Sequence, residues 1–142
     1  MSKIFWDTNL FIYLMEEYGE HSRRTRALAL RMRARNDLLF TSTLSLGEVL
    51  VKPLEENQTG LVARFEEILE RRAVLIPFDP EAAKVYASVR RDRSIKIADA
   101  IQLACAAKEK VDLFVTNDEH LSQKVVPGIH FISSLEKAVQ LL

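Results

Sequence analysis

Five short apolar runs, separated by stretches of helical periodicity, limit the fold of this chain more than any other feature. Lys3–Trp6, Leu38–Ser42, Val74–Phe78, Leu113–Thr116 and Gly128–Ile132 read as strands. Between them, Asn9–Glu17 and Ser22–Arg35 read as helices broken near Gly19, and a helix from about Ser45 to Val51 is stopped by Pro53. Leu61–Arg72 carries Leu61, Phe65, Ile68 and Leu69 at helical spacing. Pro80 opens a helix through Val89, Ile95–Lys108 forms another, and Ser134–Leu142 closes the chain. Strands that alternate with helices build a parallel sheet covered on both faces, and right-handed crossovers restrict the topology to a few cases. The expectation is an α/β fold, a three-layer α/β/α sandwich around a central, mostly parallel five-stranded sheet. No repeat, low-complexity stretch or long linker divides the sequence, so residues 1–142 read as a single domain.

Four acidic residues punctuate the apolar segments. Asp7 follows Lys3–Trp6, Glu48 lies a few residues past Leu38–Phe40, Asp99 sits early in an apolar helix, and Asp118 comes just after Leu113–Val115. In an open parallel sheet, ligands bind at the carboxyl ends of the strands, and these four residues converge there. Like charges held together repel by about 4 kcal/mol per pair at 4 Å and an effective dielectric near 20. Such a cluster persists when protons or cations neutralise it, so the pattern predicts a divalent-metal site. All-oxygen ligation favours Mg²⁺ or Mn²⁺ over zinc.

Each residue also has a plainer reading. Asp7-Thr8-Asn9 and Thr116-Asn117-Asp118 are made of residues that cap helices well. Ser45-Leu46-Gly47-Glu48 matches a capping box, with Glu48 as the reciprocal cap. Asp99 is harder to explain away. From Ile97 to Ala107 only Asp99 and Gln102 are polar, and an ionised carboxylate buried in such a helix is costly without a partner.

Other classes lack their signatures. No apolar run reaches the length of a membrane span and no signal-peptide pattern follows Met1, so a cytoplasmic protein is expected. His21, His120 and His130 lack zinc-site spacing, and four glycines leave no GxGxxG or P-loop motif. The lone Cys105, in an apolar run, reads as a core residue. The formal net charge is zero, so any polyanion must be held by local clusters: Arg23, Arg24, Arg26, Arg31, Arg33 and Arg35, or Arg90, Arg91, Arg93 and Lys96. Each is also compatible with a solvated helix surface. Arg24 and Arg31 are the candidate contacts to such a polyanion.

Asp7-Thr8-Asn9, Ser45-x-x-Glu48, Ile97-Ala98-Asp99-Ala100 and Thr116-Asn117-Asp118 resemble, in order and spacing, the four acidic motifs of PIN-domain ribonucleases. The size resembles the VapC-like toxin branch of that family. The resemblance implies an Mg²⁺- or Mn²⁺-dependent endoribonuclease, commonly a homodimer held inactive by a cognate antitoxin. By position, Asp7, Asp99 and Asp118 look like metal ligands, and Glu48 like a further catalytic carboxylate. Thr8, Asn9 and Thr116 look like supporting hydrogen-bonding groups. Hydrolysis by activated water would leave a 5′-phosphate and a 3′-hydroxyl. The alternatives are a free-standing PIN nuclease in RNA processing, a phosphatase, or a non-catalytic RNA-binding module. A haloacid-dehalogenase-type phosphatase needs a second Asp two residues after the first, where this chain has Asn9.

Overall fold

The computed structural model describes all 142 residues, Met1–Leu142. Its elements run β1 (Lys3–Trp6), α1 (Thr8–Met15), α2 (Glu20–Arg35), β2 (Leu38–Ser42), α3 (Thr43–Glu55) and α4 (Thr59–Glu66), which continues as a π-helical segment over Glu67–Arg72. Then follow β3 (Val74–Ile76), α5 (Pro80–Val89), α6 (Ile97–Lys108), β4 (Leu113–Thr116), α7 (Glu119–Ser122), β5 (Phe131–Ser134) and α8 (Leu135–Leu141). The five strands form one sheet in the order β3-β2-β1-β4-β5, and every neighbouring pair is parallel. The expected sandwich is therefore present, with a wholly parallel sheet.

Alternation along the strands sorts the core into two layers. Ile4 and Trp6 of β1, with Leu113 and Val115 of β4, pack against Leu10, Phe11, Leu28, Val49, Phe65 and Leu135 from the helices on one face. Phe5 and Phe114 point the other way, among Ala82 and Val89 of α5 and Ala100 and Leu103 of α6. Their rings stack across the β1–β4 pair with centroids 4.8 Å apart. Burying each phenylalanine contributes about 1.5–3 kcal/mol over leaving it exposed. Cys105 is fully buried in the second layer, as its apolar surroundings in the sequence suggest. No helix is long and apolar enough to cross a membrane.

Several boundaries differ from the sequence reading. β3 ends at Ile76 rather than Phe78, because Pro77 has no N–H to donate to a ladder and Phe78 is exposed. β5 is Phe131–Ser134 rather than Gly128–Ile132. Gly128 lies at φ +100° in a turn, where a Cβ would stand 2.8 Å from the Ala107 carbonyl oxygen, and Ile129 N–H is tied back to Val126. Pro53 does not stop α3. The helix starts earlier, at Thr43, and runs to Glu55 with Pro53 buried in its last turns. Gly19 does separate α1 from α2, at φ +62°.

Candidate active site

The strand order reverses at β1, which has β2 on one side and β4 on the other, so the crevice beyond β1 and β4 is the topological switch point. Asp7 is the first residue past β1, and its N–H bonds the Val115 carbonyl at 3.0 Å. Its Oδ1 accepts the Thr8 N–H at 2.8 Å and its Oδ2 accepts the Thr116 hydroxyl at 2.9 Å. The Thr116 oxygen in turn accepts the Asp118 N–H at 3.1 Å, so the ends of the two central strands are joined through side chains. Asp118 Oδ1 accepts the Leu121 N–H at 3.1 Å. Asp7 and Asp118 therefore do cap α1 and α7, and each still faces the crevice with carboxylate oxygen.

The capping reading of Glu48 fails. α3 begins two residues before Ser45, with Ser42 at its N-cap and no side-chain cap bond. Ser45 and Glu48 lie inside the helix, where Glu48 Oε1 accepts the Thr8 hydroxyl at 2.6 Å. Asp99, in the first turn of α6, completes the set. The four carboxylates, with Thr8, Asn9, Ile12, Ala98 and Gln102, line one cleft of about 320 Å³. Four larger hollows, of about 370 to 760 Å³, gather no comparable set of unpaired carboxylates.

Gln102 is the residue whose role the sequence reading missed. It is 1% exposed at the junction of both helical layers. Its Nε2 donates to the Thr8 hydroxyl at 3.0 Å and the Ser45 hydroxyl at 2.7 Å, while its Oε1 accepts the Ser42 hydroxyl. The amide orientation follows from its neighbours. Thr8 gives its only proton to Glu48, so it must accept from Gln102. Thr41 donates to the Trp6 carbonyl at 2.8 Å and lies 2.8 Å from Ser45, whose own proton is shared between Thr41 and Thr8. A lone amide in an otherwise apolar helix must find partners when buried, and that was the available signal.

No basic group answers this charge at close range. The chain's ion pairs use other carboxylates, and none involves Asp7, Glu48, Asp99 or Asp118. Burial pushes the Asp7 carboxyl up to about 6, against the hydrogen bonds from Thr116 and Thr8, and the charges of Asp99 and Glu48 add to the rise. Asp99 is also raised, first by burial and then by Asp118, with Lys96 opposing. Asp99 is only half-buried, so the most enclosed carboxylate is Asp7, not the helix residue singled out from the sequence.

The donor set fits a hard divalent cation: all oxygen, all anionic and without a competing cation. No three Asp, Glu, His or Cys side chains close around a single point. That openness suits Mg²⁺, which retains several waters and takes one or two carboxylates. Of the remaining candidates, Thr8 is buried in the Gln102 network, Asn9 is exposed on the cleft wall, and Thr116 is fully buried beneath Asp7. Arg24 lies outside the cleft, in loose ion pairs with Glu20 and Glu136, and Arg31 is exposed on α2.

The PIN domain family model matches residues 4–126, and the chain belongs to that family. No curated protein sequence gives a significant match. Among solved structures, a chain of VapBC2 from Rickettsia felis, bound to a DNA fragment from its promoter, superposes with TM-score 0.70 at 17% identity, covering 93% of this chain and 98% of that one. A toxin–antitoxin complex from Klebsiella pneumoniae gives TM-score 0.66 at 20% identity, with 89% and 94% covered. VapBC-5 from Mycobacterium tuberculosis gives 0.62 at 19%, with 94% and 99% covered. At these identities the likeness is one of fold.

The enclosed Asp7 gives the metal-free protein a defined pH response. A carboxyl whose folded pKa lies above its unfolded value favours the folded state when protonated. That contribution is fully present below about pH 4 and is lost as pH rises through about 6. The shift corresponds to about 3 kcal/mol. In EDTA, the melting temperature of Asp7→Asn relative to wild type should therefore climb between pH 4 and pH 7. A difference that stays flat with pH contradicts the burial argument.

Proposed function

We propose that this protein is a divalent-metal-dependent endoribonuclease, one nuclease domain over residues 1–142, acting as the toxin of a toxin–antitoxin pair. One observation carries the reading: four carboxylates without ion-pair partners face a single cleft at the switch point of a parallel sheet. Membership of the PIN family supports nuclease chemistry at that cleft. The likeness to toxin–antitoxin chains from Klebsiella pneumoniae and Mycobacterium tuberculosis supports a cognate antitoxin as partner; a homodimer in the cytoplasm is part of the proposal.

In this proposal Asp7, Asp99 and Asp118 would hold Mg²⁺ or Mn²⁺, in part through the ion's own waters, since no three of these side chains close around one point. The chemistry such an ion supplies is charge neutralisation at a phosphate and a lowered pKa for the attacking water. Asp7 is pre-aimed, because Thr8 and Thr116 fix both of its oxygens. Glu48 is held through one oxygen by Thr8, leaving Oε2 to orient the water for in-line attack. Water adds to phosphorus, the bond to O3′ breaks, and the proton passes to that oxygen. The products are a 5′-phosphate and a 3′-hydroxyl. Gln102 holds Thr8 and Ser45 in place beneath the cleft.

Cleavage of a fluorescent oligoribonucleotide should stop in EDTA and return with excess Mg²⁺ or Mn²⁺. Full activity in EDTA from well-purified protein contradicts the metal reading. Glu48→Gln still offers a carbonyl oxygen to the Thr8 hydroxyl, so it should fold and melt much like wild type. Its turnover should fall at least tenfold, equivalent to about 1.4 kcal/mol in barrier. Wild-type turnover from that variant removes Glu48 from the chemistry.

A further inference from the structure

We propose that the loop between α5 and α6, Arg90–Lys96, is the ledge over which the RNA backbone enters the cleft, with Arg91, Arg93 and Lys96 as its phosphate contacts. This rests on the nuclease reading and adds the surface that holds the substrate. The two basic segments of the sequence differ in how far their charge is already answered. On α2, Arg23 and Arg24 pair with Glu20, Arg24 also with Glu136, and Arg26 with Glu17, while Arg35 pairs with Asp37. In the α5–α6 loop the single acid, Asp92, is bound by Lys124 from outside the loop at 2.8 Å. Arg91, Arg93 and Lys96 are exposed and enter no ion pair. On α2 only Arg31 and Arg33 are likewise exposed and unpaired, whereas the loop places three unpaired cations within six residues beside the cleft.

The loop is also in the right place. Lys96 is the N-cap of α6, three residues before Asp99, and it is the one cation whose charge is felt at that carboxyl. On the other flank, the Ser94 hydroxyl lies 3.2 Å from His120 Nε2, two residues past Asp118. The ledge thus spans from the helix bearing Asp99 to the helix capped by Asp118. Phosphates drawn to it arrive beside two of the proposed metal ligands, although the cleft itself is negative.

Its shape is set before RNA arrives. Asp92 accepts the Ser94 N–H at 3.0 Å and the Ser94 hydroxyl at 2.6 Å, and the Arg90 guanidinium donates to the Ile95 carbonyl at 2.7 Å. Ile95 is buried in the core, and Lys124 reaches Ser94 at 2.9 Å. Arg90 and Asp92 hold the turn, and the residues next to them are free to bind. Arginines presented on a preordered turn lose less freedom on binding than those on a mobile loop.

The test compares wild type, Arg91→Glu/Arg93→Glu and Arg24→Glu/Arg31→Glu, each checked by thermal melting. Binding of a fluorescein-labelled single-stranded oligoribonucleotide is read by anisotropy in EDTA across a salt series, and cleavage is followed in Mg²⁺. The loop variant should bind at least about tenfold more weakly, with a salt slope shallower by about 1.4, at about 0.7 per lost single-strand contact. The α2 variant should keep the wild-type slope. Loss confined to the α2 variant, or a loop variant that binds and cuts like wild type, overturns this proposal while the nuclease reading stands. Wild-type protein that neither binds nor cuts RNA in Mg²⁺ or Mn²⁺ removes both.

Discussion

The amide of Gln102 is the junction on which the cleft depends. The sheet separates two helical layers, and the four carboxylates come from elements on both sides of it: Asp7 and Glu48 with α1 and α3, Asp99 with α6. Gln102 reaches from α6 to the end of β2 and to α1 and α3 of the opposite layer, using both amide protons and its carbonyl. Removing one partner would leave several buried polar groups unmatched, each costing about 1–3 kcal/mol. The Thr8 hydroxyl, held from below by this amide, sits directly under Glu48. The Thr8 hydroxyl thereby links the buried amide directly to a carboxylate of the cleft.

Above that junction the protein keeps charges that do not help it fold. Several of its other carboxylates are matched, as in Asp79 with Lys108 and Asp92 with Lys124. At the cleft, burial and mutual repulsion raise Asp7 and Asp99, and no arginine or lysine is placed in contact to relieve them. Local stability is given up at the cleft in the metal-free protein. The one cation felt at Asp99, Lys96, stands back at the end of the α5–α6 loop and forms no ion pair with it.

The sheet and the cleft were legible in the chain because both follow from periodicity. Alternating strands and helices imply parallel strands, and parallel strands bring Asp7 and Asp118 to one edge whatever the packing details. Features that depend on exchange between neighbours were not legible. Ser45-x-x-Glu48 has the spelling of a capping box, but α3 begins one turn earlier than its spacing suggests, so Ser45 is buried and Glu48 faces the cleft. Pro53 reads as a stop, yet its ring is buried in the core and the helix continues past it. β5 starts three residues late because Gly128 is needed for a turn close against Ala107. Gln102 stood out as polar in an apolar helix, but its partners lie 57 to 94 residues away in sequence.

The central claim is that the cleft stores carboxylate repulsion which a divalent cation relieves. Thermal melting of wild type and Asp99→Asn, with and without Mn²⁺, measures this most directly. Without metal, the substitution removes one like charge from a half-buried position and keeps nearly the same shape, so the variant should melt at or above wild type. With Mn²⁺, wild type should gain stability as RT ln(1 + [L]/Kd), and the variant should gain little. A variant that melts well below wild type without metal, and then gains as much from Mn²⁺, would make Asp99 a structural anchor and contradict the account.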